Sequence, residues 1–125
     1  QLTLVTYGLM CQIVKGMPED PNGVEIIDLR TLYPVDWDTI FHSLRRTRHG
    51  PGQGPKLLVV EPDITYGGIG AEIVARVAEE IGDIRDIRVR RLGAFRTTIP
   101  ASMDLHDSVT PTRDQIRDAI LEMMG

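Results

Sequence analysis

The stretch that decides the fold runs from Leu57 to Ile81, LLVVEPDITYGGIGAEIVARVAEEI. Leu57-Leu58-Val59-Val60 is an unbroken apolar run that closes on Glu61, the pattern of a strand covered on both faces. Thr65-Tyr66-Gly67-Gly68 is turn chemistry, and from about Gly70 the period changes. Ile73, Val74, Val77, Ala78 and Ile81 share one helical face, with Glu72, Arg76, Glu79 and Glu80 on the other. Gly82 then suits a left-handed stop. A buried strand followed by an amphipathic helix is the repeating half of a βαβ unit, so the rest of the chain is read for more of the same.

Upstream, Leu2 to Thr6 (LTLVT) reads as a buried strand closed by Tyr7-Gly8, and Leu9 to Met17 as a short helix ended by Pro18. A turn-rich stretch from Glu19 to Gly23 precedes a second strand, Val24 to Leu29. Asp36 is placed to cap a helix whose Trp37, Ile40, Phe41 and Leu44 form one stripe. The basic cluster Arg45, Arg46 and Arg48 ends that helix, where cations suit the macrodipole. HGPGQGP, residues 49 to 55, is a loop too short to link domains. Downstream, Ile87 to Leu92 alternates as a half-exposed edge strand does. After an irregular stretch from Gly93 to Thr110, Thr112 and Gln115 have capping-box spacing. The helix they open has Ile116, Ala119, Ile120 and Met123 as its inner face. The alternation predicts one three-layer α/β/α domain on a mainly parallel open sheet.

The composition allows a real core. Of 125 residues 42% are apolar and 26% charged, and the formal charge of -4 shows no block of like sign, so nucleic acid is not expected as a partner. No apolar run approaches the roughly 18 residues that span a bilayer, so a membrane is not expected either. The single Cys11 has no internal disulfide partner. The sequence passes straight from Gln1 into an apolar strand, and residues 1 to 125 are expected to be a piece of a longer protein.

Candidate chemistry is sparse. Gly67-Gly68-Ile69-Gly70 lies between strand and helix, where phosphates bind exposed N–H groups. The dinucleotide fingerprint, however, needs a third glycine where Ile73 stands, and Glu72 adds a negative charge to the first helical turn. The loop is therefore read as a tight structural turn. Glu61 ends the most buried strand, where ligands of open α/β sheets gather, but a carboxylate there also holds a loop by accepting backbone N–H bonds. Together Glu61, Gly67, Gly68 and Gly70 are assigned a structural role. His42 is expected on a polar helix face, and His106 in DLHD on a solvated loop. Cys11 is expected to be buried and inert, and no serine has nucleophile-elbow context. No residue is assigned as catalytic, cofactor-binding or metal-ligating.

Several segments nonetheless resemble one family in order. Leu2-Thr3-Leu4-Val5-Thr6-Tyr7-Gly8, then Val24-Glu25-Ile26-Ile27-Asp28-Leu29-Arg30-Thr31-Leu32 with Pro34, then Gly67-Gly68-Ile69-Gly70-Ala71-Glu72-Ile73, resemble the transketolase C-terminal domain. The likeness is to that domain in beta subunits of the pyruvate and branched-chain 2-oxo acid dehydrogenases. The tail agrees, with Gly93, Ile99-Pro100, Leu105, Pro111 and a closing helix. The chain departs from the family in a short first helix, in the HGPGQGP loop, and in Val60-Glu61 where many dehydrogenase members have His-Glu. At the family's acidic docking position stands Arg85, with Asp86 one place on.

The resemblance implies a non-catalytic domain of a parent that decarboxylates a 2-oxo acid and acylates a lipoyl group. Thiamine diphosphate and magnesium would then lie between an alpha subunit and the beta subunit's N-terminal domain, not on this chain. The implied partners are those two, a second beta subunit, and the peripheral-subunit-binding domain of the lipoyl acyltransferase. The implied compartment is the cytoplasm of a bacterium or the mitochondrial matrix of a eukaryote. Related domains in transketolase and deoxyxylulose-phosphate synthase are the alternative parents, and a free-standing binder using the crevice between Gly8 and the Glu61 to Gly70 loop is the other class. The resemblance also implies Leu2 to Thr6 at the sheet centre, Val24 to Leu29 on one side, and Leu57 to Val60 then Ile87 to Leu92 on the other. An interface is expected from Asp86, Phe95, Ile99, Pro100, Met103, Met123 and Met124.

Overall fold

The computed structural model describes residues 1–17, 22–47, 53–81, 87–98, 101–102, 104–105 and 109–125. Four strands, β1 (Leu2–Thr6), β2 (Val24–Asp28), β3 (Lys56–Ile64) and β4 (Arg88–Ala94), form one sheet. Its order is β2-β1-β3-β4 with every pairing parallel. The helices are α1 (Leu9–Lys15), α2 (Trp37–Arg46), α3 (Ile69–Ile81) and α4 (Arg113–Met124). The expected strand order is therefore the observed one, and the layers are α/β/α. No helix among the described residues is long and apolar enough to cross a membrane.

Period-two alternation divides the central strands between two cores. Leu2, Leu4, Leu58 and Val60 point to one face, where α1 supplies Met10 and Val14 and α4 supplies Ile116, Ala119, Ile120 and Met123. Val5, Leu57 and Val59 point to the other, against Ile40, Phe41 and Leu44 of α2 and Ile73 and Val77 of α3. Because β1 and β3 are covered on both faces, their sequences read as continuous apolar runs.

Helix ends follow the local chemistry. The Asp36 carboxylate accepts from the Thr39 N–H at 3.1 Å, and the bond to the Thr39 hydroxyl, then the one to its N–H, holds that carboxyl below the usual range. Thr112 and Gln115 form the expected reciprocal capping box. α1 is shorter than the Leu9 to Met17 expected from sequence and closes at Gly16, whose N–H donates to the Gln12 carbonyl. β2 ends one residue early, at Asp28, although the Leu29 N–H still donates to the Thr6 carbonyl at 2.9 Å.

β3 gives the main correction to the sequence reading, because it continues past Glu61 and Pro62 to Ile64. A bulge makes this tolerable. Between Val60↔Leu92 and Ile64↔Ala94 the register shifts, so a proline without an N–H costs no regular ladder bond there. Gly93 lies opposite the bulge, where a Cβ would come within 2.5 Å of the Asp63 carbonyl oxygen.

A buried polar network fixes α2 on the sheet. The Thr3 and Ser43 hydroxyls lie 2.8 Å apart, the Ser43 hydroxyl donates to the Glu25 carboxylate at 2.7 Å, and Arg46 reaches the same carboxylate oxygen at 2.9 Å. Leaving part of such a network unpartnered costs more than the bonds contribute net. Ser43→Ala is therefore expected to lower unfolding free energy by about 2 kcal/mol, within the usual 1–3 kcal/mol of an orphaned buried polar group. Urea denaturation of both chains measures it, and a change under about 0.5 kcal/mol, the level of an ordinary surface substitution, would show the network to be dispensable.

Candidate functional site

In an open parallel sheet the binding crevice lies at the carboxyl ends of the strands, where the strand order reverses. Here that point falls between β1, which leads outward to β2, and β3, which leads the other way to β4. The residues arriving there are Tyr7 and Gly8 after β1, Glu61 and Pro62 on β3, and the Gly67 to Gly70 turn into α3. The structure thus brings together four residues that the sequence singles out, Glu61, Gly67, Gly68 and Gly70.

The buried side of the crevice is taken up by the protein's own side chains. Glu61, 0% exposed, turns its carboxyl to the N-terminus of α3, where Oε2 accepts from the Gly70 N–H at 2.9 Å. The Tyr7 hydroxyl lies 3.4 Å from the same oxygen, at the long end of hydrogen bonding. Burial pushes the Glu61 carboxyl above its ordinary value, against the Gly70 N–H, the Arg91 charge and the Tyr7 hydroxyl, which pull it down. Burial, then the nearby Glu61, likewise raises the Tyr7 phenol far above its ordinary range. Pro62 closes the other side, with Cγ 4.0 Å from where a Gly8 Cβ would stand.

The glycines serve this packing. A Cβ on Gly70 would fall 2.6 Å from Glu61 Oε1, and one on Gly68 would fall 2.5 Å from the Ile64 carbonyl oxygen. Gly67 has φ +69, a left-handed turn that β-carbons disfavour. A carboxylate already held at this helix N-terminus offsets the attraction it would have for a phosphate. The donor set does not fit the diphosphate of thiamine diphosphate.

Other candidate groups lie apart. Cys11 is buried beside Asp28 and Lys15, and burial, with the Asp28 contact, raises its thiol pKa, the opposite of a reactive thiolate. His42 is exposed on α2. No group of three or more His, Cys, Asp or Glu side chains among the described residues could hold a metal. His49, Gly82, Arg85 and His106 lie outside the described residues, as do Asp86, Ile99, Pro100 and Met103 of the expected interface. Of the remaining interface residues, Phe95 is 64% exposed, Met124 is half-buried against the core, and Met123 is turned inward at 2% exposure. Met123 belongs to the inner stripe of α4.

The carboxyl end of the sheet carries further exposed apolar side chains that sequence reasoning missed. Tyr33 after β2 is 98% exposed, Tyr66 after β3 is 68% exposed, and Leu9 and Leu32 are partly exposed at the same end. Their signal was available: each sits in the segment just after a parallel strand, where periodicity assigns no core role. The Arg96 guanidinium stacks over the Tyr66 ring at 4.2 Å, joining the segments after β3 and β4.

Comparison with known proteins matches residues 1–116 to the family described as transketolase, C-terminal domain. The chain is 34% identical over 101 residues to the beta subunit of acetoin:2,6-dichlorophenolindophenol oxidoreductase of Bacillus subtilis, covering 81% of this chain and 28% of that protein. It is 32% identical over 126 residues to the pyruvate dehydrogenase E1 component subunit beta of Chaetosphaeridium globosum, covering 98% and 36%. The subunit of the same description from Rickettsia felis is 26% identical over 123 residues, covering 95% and 36%. The chain thus spans about a third of the length of these relatives.

Gly70→Ala tests the cradle. Alanine is favoured over glycine in a helix by about 1 kcal/mol, so a loss of stability must come from the Glu61 contact. Overpacking of this kind is expected to cost about 2 kcal/mol. Adding Glu61→Ala should recover part of that loss, giving a non-additive double-mutant cycle by denaturant unfolding. Strict additivity would place the constraint elsewhere.

Proposed function

The chain belongs to the transketolase C-terminal domain family, and from that membership we propose that it is the C-terminal domain of a 2-oxo acid dehydrogenase beta subunit, serving assembly rather than chemistry. The observation that carries this reading is the filled crevice at the switch point, where Glu61 occupies the position a bound anion would take. A free-standing binder would use that space, and there Glu61 takes up the Gly70 N–H while Pro62 lies beside Gly8. The beta-subunit descriptions of the relatives favour a dehydrogenase parent over a transketolase or deoxyxylulose-phosphate synthase.

In this proposal the parent decarboxylates a 2-oxo acid with thiamine diphosphate and magnesium held by the alpha subunit and the beta subunit's N-terminal domain. This domain packs against them and against a second beta subunit, and helps dock the peripheral-subunit-binding domain of the acyltransferase. Such a complex would work in a bacterial cytoplasm or a mitochondrial matrix. Support for a contact role comes from the carboxyl end of the sheet, where Tyr33, Tyr66 and Phe95 are each largely exposed.

Two measurements test the reading. Titration calorimetry with thiamine diphosphate and magnesium is expected to give no binding heat, and micromolar affinity would refute the assignment of the cofactor to other domains. Sedimentation of the chain is expected to show concentration-dependent association that Phe95→Glu weakens at least tenfold. A strictly monomeric wild-type chain at high concentration would remove the case for a contact surface.

A further inference from the structure

Glu61 is an unusual strut. Its side chain is 0% exposed, Oε2 is engaged, and Oε1 lies in the same buried space without a hydrogen-bond partner among the described residues. The cradle around it is tight, since positions one bond out from the Gly68 and Gly70 Cα atoms fall 3.2 and 2.6 Å from Oε1. The segment that covers it, from Pro62 to Gly70, contains the β3 bulge and the left-handed turn at Gly67. An unpartnered oxygen in such a space costs more when it carries charge than when it belongs to a neutral acid.

We propose that Glu61 is a proton-operated latch on the segment from Pro62 to Gly70. With the carboxyl protonated, the segment stays closed over it. With the carboxyl ionised, the unpartnered oxygen draws the segment open toward water. The latch follows from the packing of one side chain.

Each element packed on Glu61 supplies a group to be weighed. Tyr7, after β1, offers its hydroxyl at 3.4 Å. Asp63, on β3 itself, adds a like charge, and Arg91 of β4 an opposite one, with its guanidinium held on the Thr65 carbonyl at 2.5 Å. α3 offers the Gly70 N–H and carries Glu72 in its first turn. The balance of these, led by burial, raises the carboxyl above its ordinary value.

The direction follows by linkage. In an opened segment the carboxyl is hydrated and titrates near the ordinary value of about 4.3. The closed form, titrating higher, binds the proton more tightly. Closure is therefore fully favoured below the ordinary value, weakens as pH rises through the raised one, and is constant above it. Opening would also move Tyr66 from its stack with Arg96, so the latch governs part of the apolar carboxyl end.

Amide hydrogen exchange of the 125-residue chain, corrected for intrinsic base catalysis, reads the latch directly. From the ordinary carboxyl value of about 4.3 up to the raised one, the opening equilibrium for Gly70 to Val74 should rise with pH, by up to about tenfold per unit, and then level off. Glu61→Gln, fixed neutral, should abolish this dependence. Tyr7→Phe removes a donor that favours the ionised form in the closed segment, so the rise should begin at the same pH and level off at a higher one. A flat wild-type profile, or a Glu61→Gln profile that follows wild type, overturns the proposal. Should Glu61→Gln fail to fold, carbon-13 titration of the wild-type carboxyl decides: a value at or below that of an ordinary glutamate sinks the latch, and a raised value with the Tyr7→Phe shift upholds it.

Discussion

A carboxyl group carried by β3 meets the N-terminus of α3 at 2.9 Å, and the rest of this end of the molecule is arranged around that meeting. For Glu61 to reach the Gly70 N–H, α3 must begin close to the strand, which only residues without a Cβ permit at Gly68 and Gly70. For β3 to deliver Glu61 and then turn, the strand bulges at Pro62, and the bulge in turn requires Gly93 on the neighbouring strand. A glycine motif that elsewhere makes room for a ligand here makes room for a side chain.

The two cores are unlike in how they are specified. The face under α1 and α4 is built of apolar residues, from Leu2 and Leu58 to Ile116 and Met123, with its polar ties, Lys15 to Asp28 and Arg90 to Glu122, at the margins. The face under α2 and α3 adds hydrogen bonds at both ends: Thr3, Ser43 and Glu25 toward the amino end of the sheet, Glu61 and Gly70 toward the carboxyl end. Polar contacts of this kind have narrow geometry, so they fix helix register where hydrophobic packing would tolerate sliding.

Much of the fold was legible because period and burial agree. β1, β3 and the stripes of α2, α3 and α4 show the spacing their environments demand, and both polar caps are local in sequence. The illegible parts depend on distant partners. Pro62 reads as a strand terminator until Gly93 is placed opposite it, and the continuation to Ile64 is a property of that pair. Glu61 was legible as a loop holder from its position, but its unpartnered oxygen is a consequence of close packing that no local pattern encodes. Tyr33 and Tyr66 escaped notice because a turn residue's exposure depends on what the neighbouring loops cover. Met123 shows the reverse: the helical stripe placed it inside, and its nearness to the chain end carried no information about the surface.

The sheet's outer border at β4 has a bearing on how the chain behaves in concentrated solution. Its strand carries Arg88, Arg90 and Arg91, with Arg90 paired to Glu122 of α4 and Arg91 bound to the Thr65 carbonyl. An open row of amide and carbonyl groups is a template on which a second chain could continue the sheet, and such growth leads to fibrils. Two such rows laid side by side would crowd arginines of like charge together, and the bulge of the adjoining strand adds twist near the border's carboxyl end. Resistance to fibrillar stacking is thus written into the same strand that closes the core.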